Sequence, residues 1–129
     1  MNKKVLVVDD DYNLRKFISA NLEARGYSVT QAADGIEAMS LFGSQDPDII
    51  ILDITMPRMD GFEVCRLVRK VSNVPIIMLS ARQDVSDKAR CFEFGANEYM
   101  TKPFGLREFL ARIEAVQRRA LLKKETMQN

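Results

Sequence analysis

Three stretches of the chain are apolar without a break: Val5-Leu6-Val7-Val8, Ile49-Ile50-Ile51-Leu52 and Ile76-Ile77-Met78-Leu79. Runs of this length with no polar alternation read as strands buried on both faces, as in the middle of a parallel sheet. Residues 27–32 and 98–101 read as two shorter strands. Between these segments apolar residues return at helical spacing. Leu14, Phe17, Ile18 and Leu22 form one such set, closed by Gly26, and Asp11 is placed to cap it. Ile36, Ala38, Met39, Leu41 and Phe42 follow the Asp34-Gly35 turn, and Phe62, Cys65, Leu67 and Val68 follow Gly61. A fourth helix is expected over 85–94, closed by Gly95. A fifth starts near Gly105 and carries Leu106, Phe109, Leu110, Ile113 and Val116. Strand and helix alternate, so the pattern predicts a single α/β domain with a doubly wound, five-stranded parallel sheet and five helices.

Composition narrows the setting. At 129 residues the chain has room for one domain with a proper core. A net charge of +1 gives no reason to expect nucleic acid or an anionic membrane as partner of this domain. No apolar run approaches ~18 residues, so no membrane span is expected. Met1-Asn2-Lys3-Lys4 runs into the first strand without a signal-peptide core, which makes the cytoplasm the expected location. Cys65 and Cys91 have no metal or redox spacing and read as buried small hydrophobes. The chain has no histidine, which removes histidine-activated nucleophiles and histidine-built metal sites. From Gln117 onward the sequence turns polar and basic, so 121–129 is expected to be a helix extension or the start of a linker.

Four strands deliver a polar residue at the carboxyl end, the rim where open α/β sheets bind ligands. The first gives Asp9 and Asp10, the third Asp53, the fourth Ser80 and the fifth Lys102. Two carboxylates ~4 Å apart repel by roughly 4 kcal/mol at an effective dielectric of 20. Converging acids therefore call for a cation or a shifted pKa. Mg²⁺ suits them, being held by one or two carboxylates with water and a phosphate oxygen. With Lys102 neutralising charge and Ser80 donating a hydrogen bond, such a rim can hold a phosphoryl group. Asp53, alone on the central strand, is the candidate nucleophile for an aspartyl phosphate. Singly, each residue has an ordinary reading as a cap, a surface lysine or a turn serine. Their coincidence on one rim is what points to chemistry.

These residues lie in Val7-Val8-Asp9-Asp10-Asp11, Leu52-Asp53 with Met56-Pro57 and Asp60-Gly61, Ser80-Ala81-Arg82, Gly95-Ala96 and Lys102-Pro103-Phe104. Together the motifs resemble the receiver domain of two-component response regulators, across residues 4–119. Pro47-Asp48, Ala111-Arg112-Ile113 and Arg118-Arg119 are similar in detail to receivers of the winged-helix transcription factors typified by OmpR and PhoB. The resemblance implies a flavodoxin/CheY-like receiver over residues 1–120. A histidine kinase would phosphorylate Asp53, and Lys102 and Ser80 would assist. Mg²⁺ would be held directly by Asp10 and Asp53, through water by Asp9, and by the backbone carbonyl of Thr55. Ser80 and Tyr99 would form a switch pair, and the Lys102–Pro103 bond would be cis. Such a domain is no conventional enzyme, although it catalyses its own phosphorylation and dephosphorylation. Its output would be transcriptional.

A weak, phosphorylation-promoted homodimer is implied through the fourth helix, fifth strand and fifth helix. Lys88, Phe92, Glu98, Glu108, Leu110 and Arg112 would supply that face, with Lys88–Glu108 and Glu98–Arg112 pairing across the two-fold. The sequence departs from the pattern at Ser80 (commonly threonine), Thr55 (usually methionine), Asn97 (usually an acid) and Glu114 (commonly a base). A haloacid-dehalogenase-type phosphohydrolase also uses an aspartate after an apolar strand, but it needs a second acid where Thr55 stands. A receiver-like binding module that is never phosphorylated is the other alternative, and the intact acid set argues against it.

Overall fold

A computed structural model describes residues 3–81 and 85–128. Its elements run β1 (Lys4–Val8), α1 (Tyr12–Glu23), β2 (Ser28–Ala32), α2 (Gly35–Gln45), β3 (Ile49–Asp53), α3 (Gly61–Arg69), β4 (Ile76–Ser80), α4 (Val85–Glu93), β5 (Glu98–Thr101) and α5 (Leu106–Gln128). The strands are all parallel in the order β2-β1-β3-β4-β5, which places β3 at the centre. This is the doubly wound sheet that the alternation predicts. Strand order reverses between β1 and β3, and such a switch point opens a crevice at the carboxyl ends.

Residue parity assigns the two faces. Val5, Val7, Ile49, Ile51, Ile77 and Leu79 pack with Ile18, Leu22, Phe109, Ile113 and Val116, under α1 and α5. Leu6, Val8, Ile50, Leu52, Ile76 and Met78 pack on the other side with Val64, Cys65, Val68 and Cys91, under α3 and α4. All five residues of β3 are buried. Burying each branched aliphatic side chain contributes about 1.5–3 kcal/mol, so β3 is anchored from both faces before its terminal acid is placed.

Some expectations need correction. Phe17 and Ile36 fit helical spacing but are 49% and 48% exposed. In α1 the buried seam is the i, i+4 pair Ile18 and Leu22, and Phe17 lies on its flank. Val64, absent from the expected face of α3, is buried. β2 begins at Ser28; Tyr27 instead turns its hydroxyl to donate to Gln117 Oε1 at 3.0 Å, tying α5 down. Helix α5 continues through the basic segment to Gln128, with Leu121 and Leu122 exposed. Both cysteines are buried as expected. Burial pushes the Cys91 thiol up to about 12, so it stays protonated. No helix among the described residues is long and apolar enough to cross a membrane.

Candidate functional site

The rim is built by extending the ladder one residue past each strand. The Asp9 N–H donates to Ala32 O at 3.1 Å, Ile54 N–H to Leu79 O at 2.9 Å and Lys102 N–H to Ser80 O at 2.7 Å. Asp11 caps α1, its Oδ1 accepting from the N–H groups of Asn13 and Leu14 at 3.0 and 3.2 Å. The cap ends β1 sharply and leaves Asp9 and Asp10 at the crevice. Asp9 is fully buried, its Oδ1 accepting from the Asp11 N–H at 2.9 Å, whereas Asp10 is exposed. Across the switch point, Asp53 is buried at 3% exposure.

Lys102 joins the two buried acids. Its Nζ lies 2.8 Å from Asp9 Oδ2 and 3.2 Å from Asp53 Oδ1. The Asp53 contact is a hydrogen bond. The Asp9 contact is the shorter of the two, an ion pair to a fully buried oxygen. Burial pulls the Lys102 pKa down, but Asp9 and Asp53 together outweigh it and the ammonium is held above its ordinary range. The Asp53 pKa also rises, which for a carboxyl favours the neutral form. Burial first, then the charge of Asp9, raise its pKa to about 7 against the opposing pull of Lys102.

One lysine is too little charge for this cluster. Asp9, Asp10 and Asp53 each offer a carboxylate oxygen, and these atoms lie within 4.8 Å of one another. Asp9 Oδ2 shares the single Lys102 ammonium with Asp53 at the same place. An all-oxygen set with one ammonium among three carboxylates fits a hard divalent cation such as Mg²⁺. The same rim carries Ser80, buried at the end of β4, and an exposed Thr55 just past β3. The Lys102–Pro103 peptide is cis. Asp11, Leu14, Phe17, Ala81, Lys102, Pro103 and Phe104 line a 420 Å³ cleft opening beside the lysine. Arg82 lies outside the described residues.

The remaining sequence candidates fall away from the rim. Tyr99 is 9% exposed and packs in the α3/α4-side core. On the outer face of β5, Glu98 pairs within its own chain, with Arg112 at 2.8 Å and Arg119 at 3.2 Å. The Glu98–Arg112 pair expected across a two-fold is therefore made in one chain. Glu108 lies 3.7 Å from the same Arg112, while Lys88 and Phe92 are exposed and Leu110 half-buried. Asn97 serves the sheet: its Oδ1 accepts from the Ile76 N–H at 2.9 Å and from Arg69 Nη2 at 2.8 Å.

Sequence reasoning missed what holds the loop after Asp53. A Cβ on Gly61 would stand 2.3 Å from the Asp53 carbonyl oxygen, so only glycine lets α3 start against the strand end. The Gly61 N–H donates to Ile54 O at 2.8 Å, and Asp60 caps α3 by accepting from the Glu63 N–H at 2.9 Å. Gly61 was visible as punctuation in Asp60-Gly61, but its packing partner was not.

A family model described as "Response regulator receiver domain" matches residues 5–114. "Probable transcriptional regulator ycf27" of Guillardia theta is 50% identical over 117 residues, covering 91% of this chain and 46% of that protein. "Alkaline phosphatase synthesis transcriptional regulatory protein PhoP" of Bacillus subtilis (strain 168) is 46% identical over 121 residues, covering 93% and 50%. The chain spans about half the length of the curated relatives it matches. The solved Francisella response regulator 1452 receiver domain superposes with a TM-score of 0.86 at 37% identity, covering 92% of this chain and 99% of that one.

Proposed function

The chain belongs to the response regulator receiver domain family of two-component systems, and from that premise we propose that Asp53 accepts a phosphoryl group from a histidine kinase in a Mg²⁺-dependent transfer. Its relatives include transcriptional regulators of the OmpR/PhoB kind, so the proposed output is transcriptional. The observation that carries the reading is the bridge of Lys102 Nζ to Asp9 at 2.8 Å and Asp53 at 3.2 Å, inside a cluster of three acids.

In the proposed reaction one Asp53 carboxylate oxygen forms a bond to phosphorus as the bond to the donor's imidazole nitrogen breaks. Lys102 holds the Asp53 carboxylate in place and lies ready to neutralise an oxygen of the incoming group. The Ser80 hydroxyl donates to another. Mg²⁺, held by Asp9, Asp10, Asp53 and the Thr55 carbonyl, would offset the charge of the acids and the phosphoryl oxygens. The cluster's unsatisfied negative charge supports that requirement. A phosphoryl group adds charge and acceptor oxygens at Asp53. Because Ser80 and Tyr99 are both buried, the proposed switch is a repacking of the two together around β4 and β5.

The receiver is proposed to span residues 1–120, with 121–129 leading away from it. Its α4–β5–α5 face is proposed to form a weak homodimer on phosphorylation, through Lys88, Phe92, Glu98, Glu108, Leu110 and Arg112.

Acetyl phosphate tests the central claim. With Mg²⁺, the chain should gain the mass of one phosphoryl group as a hydroxylamine-sensitive acyl phosphate, and Asp53→Asn should gain none. Label persisting in that variant would assign the nucleophile elsewhere. No label on the wild type, with or without Mg²⁺, would favour an unphosphorylated binding module.

A further inference from the structure

The loop between β3 and α3 is fastened at a second point, away from the acid cluster. Arg58 Nη2 is ion-paired with Oδ2 of Asp34, while Asp34 Oδ1 caps α2 by accepting from the Glu37 N–H at 2.9 Å. The Glu37 amide first, and the Arg58 guanidinium second, hold the Asp34 carboxyl below its ordinary range. Glu37 closes the cap from the other side, its Oε1 accepting from the Ala33 N–H at 2.7 Å. Beside this pair, Gly35 lies tight under Met59. A Cβ at position 35 would stand 2.3 Å from the Met59 carbonyl oxygen and 2.6 Å from its Cβ. Met59 N–H donates to Pro57 O at 2.8 Å, closing the turn. Arg58 sits within this turn at φ +69°, a backbone region that non-glycine residues rarely occupy unless the surroundings hold them there. Gly61 against Asp53 fixes one end of the loop, and Arg58–Met59 against α2 fixes its middle. Thr55 lies between Asp53 and that second fastening.

We infer that the Asp34–Arg58 ion pair, seated by the Gly35–Met59 contact, is a positioning device that holds residues 54–60 in the shape the Mg²⁺ site requires. Metal affinity then depends on two residues that supply no ligand atom. The inference rests on the reading of the acid cluster as a Mg²⁺ site. The Arg58 side chain is 64% exposed, so the device is modest, and its loss should weaken Mg²⁺ binding about two- to fivefold.

Calorimetric titration of Mg²⁺ into the full chain separates the possibilities. Asp34→Asn keeps an acceptor for the Glu37 N–H, because asparagine caps helices as well as aspartate, and it removes only the ion pair. Arg58→Gly removes the guanidinium while tolerating the positive φ. Each variant should bind Mg²⁺ about two- to fivefold more weakly, and the double variant no more weakly than either alone. In metal-free protein the Met59 and Gly61 amides should exchange with solvent faster in both variants, a readout that needs no phosphorylation. Wild-type affinity and exchange rates in both variants would overturn the inference, as would losses that add in full in the double variant. A wild-type chain that binds no Mg²⁺ would instead overturn the reading of the cluster, and the inference with it.

Discussion

At the scale of the residue, Asp53 carries a cost in the native state that goes with its proposed chemistry. Its carboxyl is pushed up to about 7 in the fold from an ordinary value near 3.8, so the native state binds that proton more tightly than the unfolded chain. The stability associated with the protonated form is present in full below about pH 4 and is lost as pH rises through 7. Converted directly, the swing is on the order of 4 kcal/mol, an upper limit because the surroundings relax around the charge. Asp53→Asn should match the wild type in thermal stability near pH 4 and exceed it by several degrees at pH 8. Mg²⁺ at pH 8 should narrow that gap by raising the wild type alone. Parallel melting curves from pH 4 to 8 would mean the carboxyl is not held up. Lys102 should act in the opposite sense, because its ammonium is the compensating charge for two buried carboxylates. Lys102→Met should destabilise the chain by about 3 kcal/mol at neutral pH. Adding Asp53→Asn should restore part of that loss, as urea titrations of the two single variants and the double would reveal. Thr55, exposed just past Asp53, belongs to the same scale. The longer side chain of Thr55→Met should shield an Asp53 phosphate from water and slow its hydrolysis, measured as the decay of label. An unchanged or faster decay would remove Thr55 from the account.

At the scale of the element, the site is a set of strand ends made rigid by the starts of helices. The prediction here concerns Gly61, whose added Cβ would meet the backbone of Asp53 and Ile54, not a side chain able to move aside. Gly61→Ala should cost about 1–3 kcal/mol and slow labelling of Asp53. Gly43→Ala, in α2 with nothing within 4 Å of the new Cβ, should stabilise by about 0.5–1 kcal/mol and leave labelling unchanged. Urea midpoints and labelling rates of the two variants check both halves. This contrast also marks how far the sequence was legible. Uninterrupted runs such as Ile49–Leu52 announce buried strands, and in a parallel sheet their carboxyl ends must share a rim, so Asp9, Asp10, Asp53, Ser80 and Lys102 were readable together. Phe17 and Ile36 misled because periodicity gives the spacing of a helix face without saying how wide the buried seam is. The fastening of Arg58 to Asp34, of Met59 to Gly35 and of Arg69 to Asn97 was not legible. These contacts join elements far apart in sequence, through polar or glycine positions that carry no hydrophobic period.

At the scale of the whole molecule, the proposed dimer must form on a face whose charges already have partners. Glu98 is held in its own chain by Arg112 and Arg119, and Arg112 also faces Glu108. Exchanging such pairs across a two-fold axis replaces one set of exposed ion pairs with another, each contributing ~0–1 kcal/mol. The exchange fixes register and carries little net driving force. Asn97, committed to Ile76 and Arg69, adds no acid to the face. The driving force therefore falls to the apolar centre, where Phe92 is 42% exposed and Leu110 half-buried. Removing the exposed part of a phenylalanine from water contributes on the order of 1 kcal/mol per protomer, and a symmetric interface counts it twice. A dimer built this way should be weak, promoted by beryllofluoride at Asp53 and loosened only slightly by salt. Phe92→Ala should weaken it about tenfold or more, while Arg112→Ala should weaken it less and mainly alter its salt dependence. Sedimentation of the three proteins with and without beryllofluoride decides the matter. A dimer lost to Arg112→Ala but kept by Phe92→Ala would mean that charge pairing drives assembly, and a monomer at high concentration under both conditions would remove this face from the mechanism.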